Sequence, residues 1–195
     1  MNFVEPIRDR KKIAQIKNLL RGQKRFRDLL LFAVGINTAL RISDLLQLQV
    51  NHFLDEQGRV KHRFWIKERK RGKRHEIVIN TSIREALDEY LAVFPDIGND
   101  NNNFVFFSTS TNDYSDPIKR GQAWKFITSI CLEAGLSGNF GTHSLRKTWG
   151  YHARMQGVDL ALIMHKLNHE SIAYTKRYLG ITDDELEAVA QRLNL

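Results

Sequence analysis

A chain of 195 residues that is 42% hydrophobic and 27% charged, with three Pro and a net charge of +8, has the composition of a globular domain with one buried core. No apolar run approaches the roughly 20 residues that a membrane span needs, and the single Cys131 excludes an intrachain disulfide or a cysteine-based metal cage. The opening Met1-Asn2-Phe3-Val4-Glu5-Pro6 does not follow the basic-then-apolar order of a signal sequence, so the expected setting is a reducing cytoplasm.

Asp9 is placed to cap a helix carrying Ile13, Ile16, Leu19 and Leu20 and ending near Gly22. A second helix is predicted over about Arg25 to Asn37; its Leu29-Leu30-Leu31-Phe32-Ala33-Val34 run reads as buried. Arg41 follows a short break and begins another helical stretch with Ile42, Leu45, Leu46 and Leu48. From Gly58 the pattern changes. Residues 59–66 and 75–79 favour strands, and Gly72 lies at a turn between them, so a β-hairpin with a basic tip is predicted. Arg59 to His75 holds nine Lys or Arg against one acid, Glu68, a local +8. Such a cluster is either a solvated face or an element that binds a polyanion.

Thr81 or Ser82 is the expected cap of a helix with Ile83, Leu87, Tyr90 and Leu91 on one face. Asp96 to Asn103 reads as a flexible polar loop, and residues 104–107 as a short buried strand. Everything after Pro117 reads as helical. One helix carries Trp124, Ile127, Ile130 and Leu132, with Cys131 as a small core residue. The next begins at Thr142 and holds His143 and Arg146. Asp159 caps another, and a short helix runs from about Glu170 to Tyr178. Thr182-Asp183-Asp184-Glu185 matches a capping box for a last helix. Trp65, Trp124 and Trp149 are read as core anchors. The expected architecture is mainly α with a small antiparallel β-sheet, an α+β fold.

Breaking a phosphodiester requires a nucleophile, cations for the charge that builds on the non-bridging oxygens, and an acid for the leaving oxygen. A tyrosine phenol has an unperturbed pKa of about 10 and needs help to lose its proton. Arginine holds phosphate oxygens bidentately and stays charged, and lysine or histidine can protonate an alkoxide. His143 and Arg146, at i and i+3, share one helix face. His165 and His169 have metal-ligand spacing but no convincing third ligand, so neither metal nor cofactor is expected.

Three patches carry a resemblance: Ala39-Leu40-Arg41-Ile42-Ser43-Asp44-Leu45, Thr142-His143-Ser144-Leu145-Arg146, and Asn168-His169 leading to Thr175-Lys176-Arg177-Tyr178. In that order they resemble the catalytic domain of the tyrosine recombinases, the integrase family that cuts and rejoins DNA. The resemblance runs from about Lys12 to Tyr178. It implies that Arg41 and Arg146 hold the scissile phosphate, with Asp44 supporting the site from behind. His143 and His169 assist with phosphate contacts and proton handling. Lys70 is the implied general acid at the hairpin tip, with Lys73 as a rival. Tyr178 is the implied nucleophile; Tyr174, one turn earlier, does not fit the Thr-x-x-Tyr pattern.

Lys67, Arg69, Arg71, Lys73 and Arg74 are the expected DNA-binding residues of the hairpin. The implied partner is double-stranded DNA, with a tetramer on paired sites and no membrane. Two departures stand out: Asn168 replaces the usual Gly, and only about eleven residues precede the first helix of this sequence, where the family usually carries an N-terminal core-binding domain. The sequence is therefore expected to be a single catalytic domain over 1–195, either an isolated catalytic fragment or a natural single-domain member, with a lead-in over 1–11 and a tail helix over 179–195 that docks on its own or a neighbouring protomer. The implied activity is site-specific recombination through a 3′-phosphotyrosyl intermediate. A non-cleaving DNA-binding regulator and a type IB topoisomerase-like relaxing enzyme are the alternatives.

Overall fold

The computed structural model describes residues 4–69, 72, 74–109, 113–180 and 191. Its helices enclose one large apolar core and a smaller satellite cluster. The first helix, α1 (Arg10–Gly22), is capped by Asp9, whose side chain accepts the Lys11 N–H, and buries Ile16 and Leu20. At the centre is α2 (Phe26–Thr38). Leu29, Leu30, Leu31, Phe32, Ala33 and Val34 are all fully buried, as expected for a helix that is apolar on every side. It packs against α1, α5 (Thr81–Val93) and α7 (Thr142–Met155).

Beyond α2 the chain turns sharply. Ala39 takes a left-handed conformation (φ 59°), and Arg41 is the extended residue that begins α3 (Ile42–Leu45). Leu48 lies past this short helix, and a further turn, α4 (Val50–Phe53), follows it. Strands β1 (Arg63–Lys67) and β2 (Arg74–Val78) form the expected antiparallel hairpin, with Phe64 opposite Ile77 and Lys67 opposite Arg74. Phe64, Ile66 and Ile77 are buried, while Arg63, Trp65 and Lys67 point outward. Gly72 has φ 65°, a turn conformation that glycine adopts without a Cβ clash.

The structure corrects several expectations. Asn80, not Thr81 or Ser82, caps α5: its side chain accepts the Ile83 N–H at 3.0 Å. Part of the polar loop is a 3₁₀ turn, Pro95–Asn99, anchored by fully buried Ile97. The apolar run before residue 108 contributes only β3 (Phe107–Ser108), which pairs with β4 (Asp113–Pro117). Among the described residues the strands form two separate two-stranded ribbons rather than one small sheet. Pro117 ends β4 instead of opening a helix, an edge position where its missing N–H costs no ladder bond. The polar Asp-Tyr-Ser-Asp sequence before it lacks the apolar alternation of a strand.

Helix α6 (Arg120–Glu133) then buries Ile127, Ile130 and Cys131, and burial pushes the Cys131 thiol up to about 12. Trp65 and Trp124 are 54% and 50% exposed, so they are not core anchors; Trp149 packs partly buried against the satellite cluster. Two further helices follow, α8 (Leu160–Lys166), capped by Asp159, and α9 (Ile172–Leu179), capped by Ser171. Among the described residues no helix is long and apolar enough to cross a membrane. The expected tail helix, Thr182 to Leu195, lies outside the described residues apart from Gln191, which is helical and exposed.

Candidate active site

The carbonyl ends of α2 and α8 meet beside α7, and Arg146 fills the junction. Its Nη1 donates to the Ala39 carbonyl at 2.5 Å, and its Nη2 donates to the Leu167 carbonyl. Both acceptors are helix C-cap residues, where the unpaired carbonyls carry partial negative charge. Arg146 is only 4% exposed, and burial lowers its pKa, yet arginine remains charged at any physiological pH. Ala39 supplies its carbonyl from a left-handed backbone that costs about 1–2 kcal/mol for a residue with a Cβ.

One turn before Arg146, His143 stands at the mouth of the same cleft. The surrounding walls, followed by Arg146, Arg120 and Arg41, lower its pKa, so the ring is neutral at pH 7 although it is open to solvent on one side. Arg41 approaches from the start of α3. It is not paired with Asp44, its i+3 neighbour. Instead its Nη1 lies 2.5 Å from Oε1 of Glu68, at the end of β1. That Nη1 makes no hydrogen bond of ideal geometry, and the contact is a close ion pair. Asp44 accepts the Arg69 backbone N–H at 3.1 Å, supporting the root of the hairpin.

The α8–α9 turn presents His169. The Thr175 hydroxyl donates to the Ser171 carbonyl at 3.0 Å, so it accepts at 3.1 Å from Nδ1 of His169. With the Nδ1 proton directed at Thr175, Nε2 is the ring nitrogen that faces away from that contact and is available to a proton. The ring is wedged edge-on between Tyr174 and Tyr178, with centroid distances of 4.7 and 4.8 Å. The Tyr178 hydroxyl is buried and makes no well-formed hydrogen bond. Burial raises its pKa to about 12, with Arg146 and Arg41 pulling downward and Tyr174 upward. Lys147 places its ammonium 5.2 Å from the centroid of the Tyr178 ring. Tyr174 is 46% exposed and lies over Tyr178 in a stacked arrangement.

Arg41, His143, Arg146, His169 and Tyr178 therefore line a single polar cleft of about 550 Å³. Asp44 does not line it; it is buried and bonds the hairpin root instead. Lys67, Arg69 and Arg74 are exposed on the hairpin; Lys70, Arg71 and Lys73 are outside the described residues. The sequence reading did not assign Glu68 a place in the site. Its only signal there was to be the lone acid in a basic stretch. The Asn168 amide and Lys147 were missed as well, since neither belongs to a recognisable spacing. The arrangement brings together two guanidiniums that can hold a phosphate, two imidazoles that can handle a proton, and a phenol whose hydroxyl is buried.

Comparison with known proteins identifies a family. A family model described as the phage integrase family matches residues 9–185. The chain is 38% identical over 188 residues to YoeC, a probable integrase/recombinase of Bacillus subtilis (strain 168), covering 96% of each protein. It is 27% identical over 165 residues to the tyrosine recombinase XerD of Oceanobacillus iheyensis, covering 83% of this chain and 51% of that protein. The chain thus spans about half the length of the Xer-type relatives XerD and XerC that it matches. In fold it is similar to the XerH site-specific recombinase in a post-cleavage complex with palindromic difH substrate (TM-score 0.74, 22% identity, 96% of this chain and 52% of that one). It is also similar to the XerA recombinase (TM-score 0.73, 19% identity, 98% and 64%).

Proposed function

The chain belongs to the phage integrase family, and from that premise we propose that it is a site-specific DNA recombinase whose nucleophile is Tyr178. The observation that carries this reading is the convergence of Arg41, His143, Arg146, His169 and Tyr178 on one cleft.

A scissile phosphate in the cleft takes hydrogen bonds from Arg41 and Arg146 to its non-bridging oxygens. Arg146 is already immobilised by two carbonyls, so little reorganisation is needed as charge builds. The Tyr178 oxygen attacks phosphorus while its proton passes to Nε2 of His169. The new P–O(Tyr) bond forms as the P–O5′ bond breaks. The departing O5′ takes a proton from Lys70 or Lys73, leaving a free 5′-hydroxyl and a 3′-phosphotyrosyl link. One phosphoester replaces another, so attack by a 5′-hydroxyl reverses the step without ATP. Every charge and proton in this scheme comes from a side chain, with no metal or cofactor taking part. His143, neutral in the free chain, hydrogen-bonds the phosphate beside Arg146.

The partner is double-stranded DNA. The DNA complex of the similar XerH supports this reading, as do the exposed cations Lys67, Arg69 and Arg74. Residues 1–195 act as one catalytic domain, and exchange of strands between two duplexes calls for four protomers, with Thr182 to Leu195 as the candidate docking segment.

The test is covalent trapping. The protein is incubated with supercoiled plasmid and nicked duplexes from its source DNA in EDTA, then denatured in SDS. An SDS-resistant adduct that Tyr178→Phe abolishes and Tyr174→Phe retains is expected. Salt-sensitive binding without any adduct would instead indicate a non-cleaving regulator. Relaxation that is first order in protein and yields no recombinant would indicate a topoisomerase.

A further inference from the structure

Glu68 is 2% exposed, although it comes from the most basic stretch of the chain. A buried carboxylate is tolerated only with partners, and those partners indicate its role. Oε1 lies 2.5 Å from Nη1 of Arg41 and 3.6 Å from Nε2 of His75. Oε2 accepts Nδ2 of Asn168 at 2.7 Å. The three partners belong to the start of α3, to β2 and to the α8–α9 turn. Asn168 is 4% exposed, holds a left-handed backbone (φ 48°) and immediately precedes His169. The Glu68 carbonyl also accepts the Gly72 N–H at 2.8 Å, which closes the turn of the hairpin. Burial alone would raise the Glu68 pKa, but the Asn168 amide, Arg41 and His75 together hold it below the usual carboxylate range.

We propose that Glu68 is a positioning residue for strand cleavage, pinning Arg41 from behind and, through Asn168, the turn that presents His169. This inference rests on the reading of the cleft as a DNA-cleaving site. Nη1 of Arg41 is buried on the Glu68 side while the residue also lines the cleft, so the part of the guanidinium that a phosphate meets is set by Glu68. The same carboxylate joins the hairpin root to both ends of the site, so displacing the hairpin displaces the phosphate clamp with it. Its negative charge weakens the attraction of the cleft for phosphate. Glu68 therefore favours geometry over ground-state affinity, an exchange that speeds the chemical step.

Two variants separate this role from simple structural support. Glu68→Gln preserves the shape and an oxygen for Asn168 but removes the charge that holds Arg41. Asn168→Gly accepts the left-handed backbone but removes the amide. The substrate is a nicked duplex carrying the site found by sequencing the wild-type adduct. Noncovalent affinity and single-turnover adduct formation are measured for the full chain, both variants and the double variant.

Each single variant should form adduct at least about tenfold more slowly, the scale expected of a displaced catalytic group, with affinity for the duplex unchanged or tighter. The double variant should be little slower than the slower single one, because both changes break the same link. In parallel, the His75 ring in Glu68→Gln should titrate at lower pH by NMR, since Glu68 is the neighbour that raises its pKa. Wild-type cleavage by Glu68→Gln, with the His75 shift present, would overturn the proposal. So would a parallel fall in thermal stability, affinity and cleavage, the mark of a merely structural residue. A wild type that forms no adduct would remove the cleavage reading and this inference with it.

Discussion

The rings of His169 and Tyr178 meet near edge-on, with centroids 4.8 Å apart and planes inclined at 72°. The orientation of the phenol thus depends on a histidine that is itself held through Nδ1 by Thr175. His169→Ala should slow adduct formation by about 10²-fold, the lower range for loss of a general acid–base group. Thr175→Val keeps the buried shape but frees the ring. It should produce a smaller loss of rate with DNA affinity unchanged. Equal rates for Thr175→Val and wild type would show that the Nδ1 contact does not orient the ring.

Tyr178 also predicts an alkaline signature. Its folded pKa, about 12, lies above the ordinary value of 10.0. The folded chain therefore holds this proton more tightly than the unfolded chain does. The resulting stability is complete below pH 10 and is lost as pH rises toward 12. Two pKa units correspond to roughly 2–3 kcal/mol. Denaturant unfolding of wild type and Tyr178→Phe across this range should show the wild type losing stability relative to the variant. Parallel curves would contradict a buried, raised phenol.

Arg41→Ala would leave Glu68 buried without its guanidinium. Removing one partner of a buried ion pair typically costs about 3–5 kcal/mol. A second change, Glu68→Gln, removes the stranded charge and should recover most of that loss without restoring cleavage. Chemical denaturation of the single and double variants checks this directly. No recovery in the double variant would mean that the loss comes from packing around α3.

The site was legible in the sequence where side chains follow helical spacing. His143 and Arg146 at i and i+3 on α7, and Thr175 and Tyr178 on α9, lie where their spacing indicated. Arg41 was placed correctly at a helix start, but its partner was not foreseen. Asp44 is three residues away in sequence, whereas Glu68 reaches Arg41 only after the hairpin folds back. Local periodicity contains nothing about a contact of that kind. The β4 ribbon was missed for a related reason: Asp113-Tyr114-Ser115-Asp116 is polar, and its contacts are made across the ribbon, with the Tyr114 ring 4.8 Å from that of Phe107 and its carbonyl accepting the Phe104 N–H. Trp65 was read as core because of its size, yet it stands on the outward face of β1 with Arg74 5.9 Å from its ring centroid.

That outward face yields the fourth prediction. Arg69 and Arg74 are exposed, and each phosphate contact contributes about 0.9 to the slope of log affinity against log salt. Neutralising both residues, with Arg71 included, should weaken binding and flatten that slope. An unchanged slope would mark the hairpin as a solvated face rather than a DNA contact.

Arg146 donates to carbonyls from residues 107 and 21 positions away in the chain. Neither acceptor is in place until α2, α7 and α8 have docked. A chain still emerging from the ribosome, or one that has partly unfolded, carries Tyr178 on a short peptide with no guanidinium set to receive a phosphate. In the proposed reaction, completion of the fold is therefore the safety catch: only a fully assembled molecule is able to break the genome it binds.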